Sequence, residues 1–303
     1  MKTYVFINPK AGNGKTSKLW PELSKKIQFL RPYEEVYTQR AGHLTELTKE
    51  VLKKGAQKIL VVGGDGSLAE ALNGFFEEGK ALNPEAWLGA LPLGSGSDFL
   101  KSFGIFDLET AIQRLQKNES LTCDIGEITY SNLKGKEETK LFLNISSFGC
   151  AGEIVNQVNR SSKFFGATLT YLGITLTTYL AFRAPKVYLK ADQHKERAFK
   201  VNNVFVCNGK YSGGGMCWGP KAAPQDGLLD VTVVQDIPKL QGILSMRRVY
   251  DGHALEVEGV ERIQCQTMEA TSKEKVLIEV DGDTVGTLPA LFRIFPQKVS
   301  LWL

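Results

Sequence analysis

Ile59-Leu60-Val61-Val62-Gly63-Gly64-Asp65-Gly66-Ser67 is the stretch that decides the fold. Four apolar residues in succession, with no polar alternation, describe a short strand covered on both faces, as in a parallel sheet. The Gly-Gly-Asp-Gly run stops it, and Ser67 to Phe76 reads as the next helix. Upstream, Tyr4-Val5-Phe6-Ile7 is a second apolar run, ended by Asn8-Pro9. Thr16 to Leu30 reads as a helix, Val36-Tyr37-Thr38 as a strand, and Leu44 to Lys54 as a helix closed by Gly55. Downstream, Leu88 to Leu91 is a strand stopped by Pro92-Leu93-Gly94-Ser95-Gly96-Ser97. This βαβαβ order predicts an α/β nucleotide domain with a helix-covered parallel sheet.

From about Cys123 the rhythm changes. Short strand-like segments follow at Asp124–Tyr130, Thr139–Ser147, Lys186–Lys190, Asn203–Asn208, Leu229–Val234, Arg262–Thr267, Val276–Val280 and Leu291–Phe295. Turn residues separate most of them, which predicts a C-terminal antiparallel β-sandwich domain. Helical text interrupts it at Glu153–Asn159 and Phe164–Phe182. The expected domains are residues 1–122 and 123–303, with the final dozen or so residues packing back on the first.

The chain has 303 residues, 37 Lys+Arg against 33 Asp+Glu, and a formal net charge of +4. Hydrophobic residues at 43% and charged residues at 23% exclude a disordered chain and a multi-span membrane protein. The small positive excess is shared by both halves and forms no basic stripe, so nucleic acid is not an expected partner. Cys123, Cys150, Cys207, Cys217 and Cys265 form no CxxC pair and read as buried thiols of a reducing compartment. No signal peptide is read at the N-terminus, and the expected location is cytoplasmic.

Three glycine-rich loops each follow a strand of the parallel set: Asn8 to Lys15, Gly63 to Ser67, and Gly94 to Asp98. Such loops line the ligand crevice of an open α/β sheet. Glycine lets backbone N–H groups approach an anion, and helix N-termini add positive charge. With Lys10 and Lys15 the sum is a nucleotide or phosphate site. It is not a P-loop, because Pro9 stands where GxxxxGK[ST] needs its first glycine. Nor is it a dinucleotide fingerprint, because Ser17 stands where GxGxxG needs its third.

These loops resemble the diacylglycerol kinase catalytic-domain family, which includes bacterial lipid kinases and sphingoid-base kinases. The matching residues are Asn8-Pro9-x-x-Gly12, Gly63-Gly64-Asp65-Gly66-Ser67 with Glu70, and Leu91-Pro92-Leu93-Gly94-Ser95 with Asp98-Phe99. Asn208-Gly209-x-Tyr211-x-Gly213-Gly214-Gly215, Pro220-x-Ala222, Asp226-Gly227-Leu228-Leu229-Asp230 and Asp281-Gly282-Asp283 continue the likeness along nearly the whole chain. The resemblance implies an NAD-kinase-like nucleotide domain followed by a β-sandwich, with the active site in the cleft between them. It implies ATP contacts at Asn8, Pro9, Lys10, Ala11, Gly12, Thr38, Gly63, Gly64, Asp65, Gly66, Ser67, Leu68, Ala69 and Ser95. It also implies a structural Mg²⁺ on the Asp226 side chain and the carbonyls of Ala223 and Leu228. The sequence departs from the family pattern at Ser67 and Ser95, where Thr is common, at Ala69 and Ser97, where Asn is common, and at Asp283, where Glu is usual.

Phosphoryl transfer needs positioning, charge neutralisation and a proton acceptor. Asp65 is placed to reach the nucleotide's magnesium. Asp281 and Asp283 can split two roles: one takes the lipid hydroxyl proton, the other orients it or holds metal through water. The implied reaction is an ATP- and Mg²⁺-dependent phosphorylation of a lipid hydroxyl, diacylglycerol to phosphatidic acid. The rivals are an NAD kinase and a non-catalytic lipid-binding protein on the same fold. Phe164–Phe182 carries no charge between Lys163 and Arg183. Phe165, Leu169, Leu172, Leu176 and Leu180 recur at helical spacing opposite Thr170 and Thr177. This helix either packs on a core, lines an apolar mouth that admits lipid, or touches a membrane surface. The expected partners are therefore a lipid and peripheral contact with a membrane, and a homodimer is left open.

Overall fold

The computed structural model describes residues 2–94, 96–161 and 167–303, with side chains in the last segment from residue 171. Ser95, Lys163, Phe164 and Phe165 lie outside the described residues, as do the side chains of Leu169 and Thr170.

The N-terminal half runs β1 (Thr3–Ile7), α1 (Ala11–Lys26), β2 (Tyr33–Tyr37), α2 (His43–Lys53), β3 (Lys58–Gly63), α3 (Asp65–Gly74), β4 (Trp87–Pro92), α4 (Asp98–Lys101) and α5 (Leu108–Lys117). Strands β2, β1, β3 and β4 lie side by side in that order, each neighbouring pair parallel. Every residue of β1 and β3 is buried. That is why their sequences are unbroken apolar runs, and why the three glycine loops leave from one edge of the sheet.

The second half runs β5 (Ser120–Asn132), β6 (Glu137–Phe142), β7 (Ile145–Gly149), α6 (Cys150–Arg160), α7 (Ala167–Ala181), β8 (Lys186–Ala191), β9 (Arg197–Cys207), β10 (Leu229–Gln235), α8 (Lys239–Tyr250), β11 (Val260–Cys265), β12 (Thr267–Ser272), β13 (Leu277–Val280) and β14 (Asp283–Trp302). Strands β14, β13, β7, β9, β8 and β12 pair antiparallel in a closed cycle. The ring encloses a core that includes Phe148, Val204, Met268, Ile278 and Phe292. Opposite sides of the ring face each other across that core as two sandwich layers would.

The long β14 joins the halves. Its middle pairs antiparallel with β5, and Ser300–Trp302 pairs parallel with Trp87–Gly89 of β4. All fourteen strands therefore belong to one hydrogen-bonded sheet.

Three sequence readings change. The helix expected over Thr16–Leu30 starts as expected, just after Gly12, Asn13 and Gly14 with their left-handed φ angles of 58°, 57° and 82°, but it ends at Lys26 and a separate 3-10 turn covers Gln28–Leu30. The single strands expected at Thr139–Ser147 and Arg262–Thr267 are each two strands. Helix α8 was not anticipated. It has no side-chain N-cap, contains Gly242, and leaves Leu240 and Leu244 exposed.

Candidate active site

Glycine brings the loops together. A Cβ on Gly94 would lie 2.3 Å from the Gly64 Cα, so the second and third loops cross backbone to backbone. A Cβ on Gly12 would lie 2.5 Å from the Leu93 carbonyl oxygen, which docks the first loop on the third. Asn8 completes the contact: its Nδ2 donates to Ser67 Oγ at 2.9 Å. Among the described residues, the N–H groups of Asp65, Gly66 and Ser67 at the start of α3 find no acceptor. A helix of this length exposing unmet N–H groups beside open space at Gly66 is a cradle suited to a phosphate chain. The residues present thus fit the triphosphate of a nucleotide.

Asp65 does not point away from the protein. Its carboxylate accepts the backbone N–H groups of Asp98 at 2.8 Å and Phe99 at 3.1 Å, capping α4 from another loop. Burial pushes its pKa up. Asp98 is buried in turn. It pairs with Lys101 Nζ at 2.6 Å and accepts the Gly214 N–H at 2.7 Å, which ties the triple-glycine loop to the nucleotide domain. Glu70 is structural: it accepts the N–H groups of Gly42 and Leu44 at the start of α2.

The strand-to-turn segment after β13 separates its two aspartates. Asp281 takes a left-handed φ of 46°. Its carboxylate accepts N–H groups from Leu143, Asn144 and Ile145 at 3.2 to 3.3 Å. Asp283 lies on the outer side of the turn, with its side chain 68% exposed and 3.6 Å from Lys140. The inner companion of Asp281 is Glu279. It accepts Ser147 Oγ at 2.7 Å across the β7–β13 pair, and the Gly282 N–H. Burial pushes both carboxyls up to about 7 and Lys140 opposes the rise, while the charge of Asp283 adds to it at Glu279 and that of Glu279 adds to it at Asp281.

Glu279, Asp281, Asp65 and Asp98 line one cavity of about 730 Å³. Beyond this acidic end its walls are apolar, built by α6, α7 and α8 over the sheet: Ile154, Val155, Val158, Ile243, Met246 and Val249. Helix α7 contributes Tyr171, Thr175 and Tyr179 to the lining. Leu172, Leu176 and Leu180 do not pack on a core: they are about half exposed, Leu240 and Leu244 of α8 are more so, and Leu172 and Leu176 border the cavity. No helix among the described residues is long and apolar enough to cross a membrane.

The comparisons with known proteins agree with this arrangement. Residues 2–128 match the model of the diacylglycerol kinase catalytic domain, and residues 144–303 match the YegS C-terminal NAD kinase beta sandwich-like domain. The chain belongs to the diacylglycerol kinase family. Among its relatives, "Putative lipid kinase YtlR" of Bacillus subtilis (strain 168) is 23% identical over 98% of this chain and 98% of that protein. "Diacylglycerol kinase" of Staphylococcus carnosus (strain TM300) is also 23% identical, over 98% of this chain and 94% of that protein. The crystal structure of "a putative diacylglycerol kinase" from Bacillus anthracis str. Sterne superposes with a TM-score of 0.74 at 22% identity. It covers 99% of this chain and 94% of that one.

In this family member the sequence-read nucleotide residues divide. Asn8, Gly12, Gly63, Gly64, Gly66 and Ser67 meet in the cradle, while Pro9, Lys10 and Ala11 carry the chain around it. Thr38 follows β2 and donates its N–H to the Ile7 carbonyl. Leu68 and Ala69 are buried on α3, so Ala69 packs beneath the loop. Ser95 is outside the described residues. The Asp226 turn holds itself: Asp226 accepts the Leu228 N–H, and the Ala223 carbonyl accepts those of Gln225 and Asp226. Asp124 anchors the same turn through Gly227. The Asp226 carboxylate oxygen that does not meet Leu228, with the carbonyls of Ala223 and Leu228 and water, is the set that would hold a hard cation at this turn. No chemical step is assigned to a metal at Asp226.

Sequence reading missed Glu279. Its signal was alternation: Ile278 and Val280 are buried in the ring core, which turns the residue between them to the opposite face. All five cysteines are buried and unpaired.

Proposed function

We propose that this enzyme transfers the γ-phosphoryl group of ATP to a hydroxyl of a membrane lipid, with diacylglycerol as the acceptor and phosphatidic acid as the product. One observation carries the reading. A large apolar cavity ends in carboxylates, and two of these, Asp65 and Asp98, belong to the loops that form the phosphate cradle. An apolar chain with a terminal hydroxyl suits such a cavity, and a dinucleotide acceptor, as for an NAD kinase, does not.

ATP with Mg²⁺ supplies the phosphoryl group and neutralises its developing charge. The N–H groups of Asp65, Gly66 and Ser67, with Asn8 and the Gly12 turn, would hold the phosphate chain. Asp65 orients α4 and thereby Asp98 at the junction of the two halves. The cavity excludes water and brings the lipid hydroxyl to its acidic end. There the hydroxyl oxygen forms the new bond to the γ-phosphorus, the bridging bond to ADP breaks, and Asp281 takes the hydroxyl proton. A carboxyl raised to about 7 is matched to that task near neutral pH. The rim of Leu172, Leu176, Leu180, Leu240 and Leu244 would rest on the cytoplasmic face of a bilayer and let a lipid enter without leaving an apolar phase.

Radiolabelled ATP offered with NAD and with diacylglycerol, monoacylglycerol, ceramide, sphingosine, phosphatidylglycerol and undecaprenol in micelles tests the proposal. Label in a lipid supports it. Label only in NADP, or in nothing, rejects it.

A further inference from the structure

The mechanism uses one of the two raised carboxylates and leaves Glu279 without a task. We propose that Glu279 reads a second polar group on the acceptor: a hydrogen-bond donor, hydroxyl or ammonium, on the carbon next to the one bearing the reacting hydroxyl. This deepens the lipid-kinase reading and rests on it.

The cavity lining argues for a donor. It holds four carboxylates and, among the described residues, no Lys, Arg or His. Three of the four have their roles accounted for. Asp98 is ion-paired with Lys101, Asp65 accepts two backbone N–H groups, and Asp281 accepts three. Glu279 accepts one hydroxyl and one N–H. A carboxylate offers about four lone-pair sites, so each of its oxygens keeps an unused one. Lys140, the nearby cation, is committed to Asp283 on the outside of the turn. Above pH 7, where Glu279 is ionised, it accepts and does not donate, so a donor on the ligand suits it, and the matched pairs below are compared at about pH 8.

Geometry supplies the rest. Glu279 and Asp281 are two residues apart and line the same acidic end, so a lipid hydroxyl on Asp281 puts the adjacent carbon's substituent within reach of Glu279. Diacylglycerol carries an ester there and leaves Glu279 unmet. A monoacylglycerol, or a long-chain 2-amino-1-alcohol, places a donor there. The enzyme should accept diacylglycerol but discriminate in favour of acceptors with the second donor.

Two matched pairs test this: a 1-acylglycerol against its 2-O-methyl ether, and a long-chain 2-amino-1-alcohol against the 1-alcohol of equal length. In each pair the donor-bearing member should have a kcat/KM at least about ten-fold higher, the usual worth of a hydrogen bond to a charged group. Glu279→Leu should bring both ratios close to one, whatever it does to the absolute rates by releasing the Gly282 turn and by acting on Asp281. Glu279→Gln preserves volume and one acceptor oxygen, so it should keep the hydroxyl preference and lose most of the ammonium preference. It also serves if the leucine variant misfolds. Wild-type ratios near one, or ratios unchanged in both variants, overturn the role of Glu279 while leaving the kinase intact. Failure of the wild type on all four lipids while diacylglycerol is phosphorylated overturns the role of Glu279 alone, and failure on diacylglycerol as well overturns the kinase reading and this one together.

Discussion

Replacing Asp65 by Asn separates a loop-holding carboxylate from one that acts directly on the nucleotide. Asp65 accepts two N–H groups, from Asp98 at 2.8 Å and Phe99 at 3.1 Å. Asn keeps one acceptor oxygen and turns its NH₂ toward the other N–H, donor against donor. The loss is one charge-assisted hydrogen bond at a helix start, about 2–3 kcal/mol including the unmet N–H. Part is returned, because burial already penalises the charged Asp65 and the amide carries no charge. The net cost should be about 1–2 kcal/mol, which lowers the melting temperature by roughly 2–4 °C. Turnover should fall at least ten-fold, because α4 carries Asp98, and Asp98 holds both Lys101 and the Gly214 loop. Thermal unfolding followed by circular dichroism and steady-state kinetics on the same preparation check both numbers. A variant that melts with the wild type would refute the reasoning, and lost turnover at unchanged melting would make Asp65 a direct ligand of the nucleotide.

Asp281→Asn should lower kcat by roughly 10²–10⁴ with little change in the ATP KM, the usual worth of a general base. Asp283→Asn, at an exposed ion pair with Lys140, should stay within about two-fold of wild type in the same kinetic assay. Glu279 and Asp281 are raised to about 7 in the folded protein, so between pH 4 and 7 the folded state holds protons that the unfolded chain has released. As far as these two groups are concerned, stability should be greatest below about pH 4, fall by several kcal/mol between pH 4 and 7, and level off above 7. Urea unfolding at pH 5 and 8 should show this fall shrinking in Glu279→Gln. Activity should move the other way, rising through pH 7 as Asp281 ionises. Leu172→Asp with Leu176→Asp should weaken activation by anionic vesicles several-fold while leaving turnover of a short-chain lipid and the ATP KM near wild type; equal losses on both substrates would contradict a membrane-facing rim.

The features legible in the sequence were those set by local chemistry. Ile59 to Val62 reads as a doubly covered strand because burial on both faces permits no polar alternation. The glycine loops read as a phosphate cradle because close backbone approach excludes a Cβ, as the 2.3 Å Gly94–Gly64 geometry requires. What stayed hidden depends on parts of the chain far apart in sequence. The spacing of Leu172, Leu176 and Leu180 defines a face but not what lies against it, and here that face borders the cavity mouth. Asp65 was readable as a carboxylate near phosphate, but its partners lie more than thirty residues away. Asp281 and Asp283 look like a pair along the chain, yet the left-handed turn at Asp281 sends them to opposite sides and leaves Glu279 as the inward neighbour. Helix α8 gave no signal, because Leu240 and Leu244 face outward and leave no buried stripe to read.

The measurement that bears most directly on the central claim is transfer of label from [γ-³²P]ATP by the purified chain to diacylglycerol and monoacylglycerol in mixed micelles, with NAD offered in parallel. The account predicts a labelled phospholipid whose formation requires Mg²⁺, is abolished by Asp281→Asn, and is accompanied by no labelled NADP. Label in NADP, or no labelled lipid with either acceptor, would contradict it.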